Sequence, residues 1–163
     1  MKQVFGKATA ALALAAVALA APAGAQFRNK IADEPAKCHA GAGPAVNVRI
    51  SGITPAKGTL RVQLYRGTEA DWLKTGRWLN RIEVPVRSGS ETICMPVPGK
   101  GTYAIAVRHD VNGNGHTDLR TDGGGMSNNP PISILNLGRP SYKQTAFTVA
   151  DGVKSVSIQM RYF

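Results

Sequence analysis

One stretch of the chain gathers side chains that could hold a metal ion: Asp110-Val111-Asn112-Gly113-Asn114-Gly115-His116-Thr117-Asp118. It reads DxNxNGxxD. Oxygen-bearing side chains stand at the first, third, fifth and ninth positions, and a glycine at the sixth lets the backbone turn sharply around one cation. The carbonyl of His116, at the seventh, supplies a further oxygen. All of these are hard oxygen donors, which favour Ca²⁺ over zinc or copper. The twelfth position, where a helical calcium loop carries a bidentate Glu, is Thr121; Asp122, one residue on, is placed to substitute. The expected metal set is therefore Asp110, Asn112, Asn114, His116, Asp118 and Asp122. With so few carboxylates the expected dissociation constant is on the order of 10⁻⁴ to 10⁻³ M. The same residues admit a second reading, an Asn/Gly turn whose side chains hydrogen-bond their own backbone and bind no metal.

Other chemistry is sparse. His109 shares a phase with Tyr103, Ile105 and Val107, so it is expected to point inward beside Asp110 and to hydrogen-bond the loop backbone rather than to catalyse. No GxSxG, HExxH, Walker loop or dinucleotide fingerprint occurs, and the chain is expected to be non-catalytic. A hydrolase whose triad assembles only in the fold stays open as a third reading. Cys38 and Cys94 lack a CxxC spacing and are expected to form a disulfide, closing a loop of about 57 residues and stabilising the fold by roughly 4 kcal/mol. Two free thiols are the alternative.

The formal charge is +10, and it directs attention to anionic partners. Arg49, Arg61, Arg81, Arg87, Arg108 and Arg161 all stand in the outward phase of their strands, so those that share a sheet would form a basic face. An anionic envelope component or a protein is the expected partner; a merely solvated surface is the alternative. Tyr65 is the aromatic residue in that outward phase, too little interleaving for specific single-stranded nucleic-acid binding.

These residues need a scaffold and a compartment. Lys2 and Lys7 flank the start of the uncharged apolar run Ala8 to Ala21, which is followed by Ala23-Gly24-Ala25. That is the pattern of a signal peptide, residues 1–25, cut before Gln26, and it implies a periplasmic or secreted protein. No cysteine follows for a lipid anchor, and no later segment has the length of a transmembrane helix. Without Lys2 and Lys7 the formal charge becomes +8. Residues 26–44 read as a polar arm tied down by Cys38, and residues 45–163 as one domain.

That domain is patterned with a period of two. Val46, Val48 and Ile50 alternate with polar residues, as do Leu60, Val62 and Leu64, then Ile82 and Val84, then Ile93 and Met95. Tyr103, Ile105 and Val107 follow, then Phe147 and Val149, then Val156, Ile158 and Met160. About seven short strands separated by Gly, Pro and Ser turns predict an all-β, antiparallel β-sandwich with one short helix at Glu69 to Thr75. An eight-stranded outer-membrane barrel is excluded, because Arg161, Gln159 and Ser157 stand in phase with Phe163 where lipid-facing residues would be needed.

The run Gly101-Thr102-Tyr103-Ala104-Ile105-Ala106-Val107-Arg108-His109-Asp110, with Met126-Ser127-Asn128-Asn129, Pro140-Ser141-Tyr142 and Ala146-Phe147, resembles the bacterial family catalogued as domain of unknown function 2141. The resemblance spans roughly residues 45 to 163. It implies an exported protein with a transthyretin-like or prealbumin-like sandwich, Ig-like in outline, and implies no particular activity. Gly123-Gly124-Gly125 stand where the family has a longer stretch with an acidic residue, which weakens the carry-over of a full metal shell. The leading expectation is a calcium-stabilised, non-catalytic envelope module that binds an anionic or protein partner. A carrier of a small ligand is the alternative.

Overall fold

A computed structural model describes residues 27–87, 89–118, 120–132 and 138–162. The expected signal peptide, its cut before Gln26 and the terminal Phe163 lie outside the described residues. Among the described residues ten strands form, the longer ones where β-branched and aromatic residues alternate with polar ones: β1 (Asn29–Lys30), β2 (Ala45–Ser51), β3 (Thr59–Arg66), β4 (Asn80–Pro85), β5 (Ser90–Pro96), β6 (Gly101–Asp110), β7 (Gly123–Met126), β8 (Phe147–Val149), β9 (Val153–Gln159) and β10 (Arg161–Tyr162).

They make two sheets. The larger runs β1-β4-β3-β6-β7-β10, with β8 beside the start of β6; the smaller runs β5-β2-β9. Val46, Val48, Ile50, Leu60, Val62, Leu64, Ile105 and Ile158 are buried between the sheets, so each strand turns its aliphatic phase inward. Two pairs depart from the expected antiparallel pattern: β2 runs parallel to β9, and β1 runs parallel to β4. Alternation reports which side of a sheet a residue takes and carries no information on strand direction.

The helix expected at Glu69 to Thr75 does not form. The segment is a chain of turns, in which Asp71 and Trp72 both donate to the Thr68 carbonyl and Lys74 to that of Asp71. Leu73 then takes φ +53°, outside the helical region, and helical winding cannot continue. Among the described residues the one α-helical turn lies instead at α1 (Tyr142–Thr145), where the Gln144 side chain accepts from the Ser141 N–H. Residues 67–79 fold over the outer face of the larger sheet and build a second apolar cluster of Tyr65, Trp72, Trp78, Ala104 and Met126.

Gly123-Gly124-Gly125, expected as loop, forms most of β7 and pairs with β6. Two of its glycines are explained by crowding, since a Cβ on Gly125 would stand 2.7 Å from Ile158 Cγ2 and one on Gly123 would meet the Tyr162 ring, whereas Gly124 faces open space. Cys38 and Cys94 are bridged, Cα to Cα 5.7 Å, which fastens the arm to β5. Asp33 strengthens that junction by accepting from the Cys94 N–H at 2.8 Å.

Candidate functional site

Strand β6 ends at Asp110 and releases the chain into the Asn/Gly loop, which returns at β7. The loop closes on itself. Asn112 and Asn114 each use an amide oxygen to accept a backbone N–H two residues on, from Asn114 at 3.1 Å and His116 at 2.8 Å. Their amide nitrogens donate to one oxygen of Asp118, at 2.8 and 2.7 Å. These bonds, that of Asn112 first and then that of Asn114, hold the Asp118 carboxyl below its ordinary value. Asp122 accepts from the N–H groups of Val111 and Asp118, and so ties the two ends of the loop together.

Asp110 differs from the others. Its Oδ2 accepts from the Gly115 N–H at 2.8 Å and from Arg108 at 3.3 Å, while Oδ1 is buried without a partner. His116 contributes a backbone N–H to the turn, and its residue is exposed. Among the described residues no three His, Cys, Asp or Glu side chains gather as a group able to hold a metal. The side chains expected around a cation thus share one loop, in which the carboxylates of Asp110, Asp118 and Asp122 serve mainly as acceptors of N–H groups.

His109 is fully buried and points inward, and it braces a different loop from the one beside it. Its Nε2 lies 2.6 Å from the Lys57 carbonyl and its Nδ1 2.7 Å from the Tyr162 hydroxyl. The carbonyl requires a donor, so Nε2 carries the proton and Nδ1 accepts from Tyr162. The Tyr162 oxygen in turn accepts from the Thr54 N–H at 2.9 Å. This chain joins the β2–β3 connection, the end of β6 and the last strand.

The six outward arginines separate into two groups. Cross-strand register places Glu83, Arg61, Arg108, Gly124 and Arg161 in one continuous row over β4, β3, β6, β7 and β10. Arg81 stands one step away on the same face, opposite Gln63. Arg49 does not join them: it lies on β2, between Thr92 and Ser157 of the smaller sheet. Arg87 lies beyond the end of β4 and is exposed there. Outward phase distinguishes in from out, and a sandwich has two outsides.

Within the row, Arg61 pairs with Glu83, while Arg108 reaches the Asn/Gly loop through Thr117 Oγ1 at 3.0 Å and the Gly115 carbonyl at 3.0 Å. The Nε atoms of Arg81 and Arg108 are buried and unpartnered. Burial first, and then the neighbouring Arg61 guanidinium, push both arginines below the ordinary value. Like charges on adjacent strands are destabilising, and here Glu83 offsets Arg61 while Asp110 offsets Arg108.

Sequence reading missed the role of Met126-Ser127-Asn128-Asn129. Ser127 Oγ accepts from the Ile105 N–H at 3.0 Å and donates to the Thr145 carbonyl at 2.6 Å. Asn128 donates to the Gln144 and Ala146 carbonyls, and Asn129 brackets β9 through the Ser157 carbonyl and the Gln159 N–H. Both asparagines take positive φ, +64° and +48°. Consecutive asparagines were the available signal, since Asn tolerates that region better than most residues.

Residues 48–157 match the model of a family described as an uncharacterized protein conserved in bacteria, DUF2141. The chain belongs to that family. The matched residues take in β6, the Asn/Gly loop and the Ser-Asn-Asn clamp. Searches of curated proteins and of solved structures found no match.

Proposed function

We propose that this DUF2141 chain is an exported, non-catalytic binding module of the cell envelope. It engages an anionic partner through the outer face of its larger sheet, and a Ca²⁺ ion orders the loop from Asp110 to Asp122. The observation that carries the reading is the row of Arg61, Arg108 and Arg161, in which Gly124 leaves the surface between the last two open. Export is supported by the Ala8 to Ala21 run, and the Cys38–Cys94 bridge suits an oxidising compartment.

The loop residues fit a hard cation by their chemistry, and the unpartnered buried Oδ1 of Asp110 is the acceptor such an ion would satisfy. Asp110, Asp118 and Asp122, with the Asn112 and Asn114 oxygens and the His116 carbonyl, would hold it. Bound there, Ca²⁺ supplies positive charge to carboxylates otherwise neutralised by N–H groups. Arg108 touches both the loop and the row, and so couples the two parts.

Binding of the purified protein to vesicles rich in phosphatidylglycerol tests the reading. Strong association at low salt, lost at high salt and weakened in Arg61→Gln/Arg161→Gln but not in Arg49→Gln, is the expected outcome. Equal binding to neutral vesicles, or equal loss in Arg49→Gln, would remove it.

A further inference from the structure

Beside the arginine row, on the same outer face, the chain forms an open concavity of about 710 Å³. Its walls carry Arg28, Lys30, Lys74, Arg81 and Arg139, and no acidic residue lines it. These cations arrive from separate places in the chain. Lys30 on β1 stands in register with Arg81 on β4, Lys74 comes from the loop over the sheet, and Arg139 precedes α1. Arg28 is set by a backbone hydrogen bond from its N–H to the Trp78 carbonyl at 2.8 Å, at φ +68°.

Among the described residues, Arg28, Lys30, Lys74 and Arg139 form no ion pair. Arg81 has only a distant one, 3.9 Å to Glu83, which is already engaged by Arg61. Its guanidinium lies 4.1 Å from the Trp78 ring centroid, which fixes the group before any ligand arrives. The nearby Arg77 shows the contrast: it is neutralised by Asp71 and is not part of the wall.

We infer that this concavity binds a small organic anion bearing two or more phosphate groups, an inference that rests on the anionic-partner reading and gives it a ligand class. The size is that of a small-molecule site, which commonly measures about 300–1,000 Å³. Five cations exceed what one carboxylate can balance, whereas each phosphate brings up to two charges and several acceptor oxygens for guanidinium forks. Arg81 lines the concavity with its guanidinium already held over Trp78, so part of the anion's binding group is positioned in advance.

Calorimetric titration of the full-length protein with tripolyphosphate, inorganic phosphate and citrate tests this. Tripolyphosphate is expected to bind one to one, at least tenfold tighter than either of the others. The exposed substitutions Lys30→Gln/Lys74→Gln/Arg139→Gln should weaken it tenfold or more, with the unfolding temperature measured alongside to show the fold intact. Arg49→Gln, on the smaller sheet and outside the concavity, should leave it unchanged. Citrate binding as tightly as tripolyphosphate, or a triple variant that binds like wild type, would overturn the inference. Vesicle binding without tripolyphosphate binding would sink the concavity and leave the envelope reading standing; tripolyphosphate binding without vesicle binding would do the reverse.

Discussion

Two loops leave opposite ends of the larger sheet and are held by different physics. The 67–79 loop lies against the outer face through buried indoles: Trp72 packs edge-on to Tyr65 at 5.4 Å and donates to the Pro140 carbonyl at 2.8 Å. The 111–122 loop is largely exposed and is organised by short side-chain-to-backbone bonds around Asp118 and Asp122. Packing against apolar surface responds little to ions and pH, and the carboxylate this first loop buries, Asp71, is already paired with Arg77, whereas an exposed frame of carboxylates and amides responds to both. The first loop is therefore a wall, and the second is the part that solution conditions can alter.

The largest test of that contrast is Trp72→Ala. It should cost about 3–5 kcal/mol in urea denaturation, as for other buried aromatics, and leave the amide chemical shifts of residues 111–118 unchanged. A cost below about 1 kcal/mol would mean that the wall is not held by its indole. Calcium comes next. At roughly ten to one hundred times the dissociation constant, binding to the native state alone contributes about 1.4–2.7 kcal/mol, seen as a rise in melting temperature. Asp110→Ala should abolish the rise. Identical wild-type melts in chelator and in calcium at about 10⁻² M, tenfold or more above the expected dissociation constant, would remove the metal from the second loop.

The smallest effect is expected from acid. Asp118 titrates below its ordinary 3.8 because the Asn112 and Asn114 amides favour its charged form. The stabilisation is therefore present above pH 3.8 and is lost as the pH falls through the lower folded value. Amide exchange in residues 112–116 should quicken in that range, while the tryptophan emission stays constant. Simultaneous change of both signals would show that the two loops are one cooperative unit.

Alternation alone located β2 to β6, β8 and β9, because an aliphatic phase such as Val46, Val48 and Ile50 has one stable destination; it did not find the short β1, β7 and β10. It could not report that β9 would lie parallel to β2, nor which of two outer faces an arginine would occupy, and so Arg49 was grouped with Arg61 and Arg108. Trp72 and Leu73 suggested a helix, yet the aromatic demand of Tyr65 and the small outward Ala104 and Ala106 mark a covered surface. Three glycines concealed a strand, since Ile158 and Tyr162 crowd Gly125 and Gly123 and a run without side chains shows no alternation. The Asn/Gly loop was legible as a loop of oxygens. Its hydrogen-bonding depends on which way each amide turns, and spacing does not encode that. The concavity was not legible at all, because Arg28, Lys74 and Arg139 meet only through the path of the chain.

The parallel pairing of β2 with β9 joins positions about 108 residues apart, Ala45 with Val153. A polypeptide emerging from its amino end must carry β2 with one flank bare until nearly all of it has been delivered. Closure of so long a span is slow, and an uncovered flank is an invitation to pair with a neighbouring copy. The tail of this chain is thus the latch of its smaller layer, and shortening the molecule ahead of Val153 would leave the oldest strand permanently open on that side.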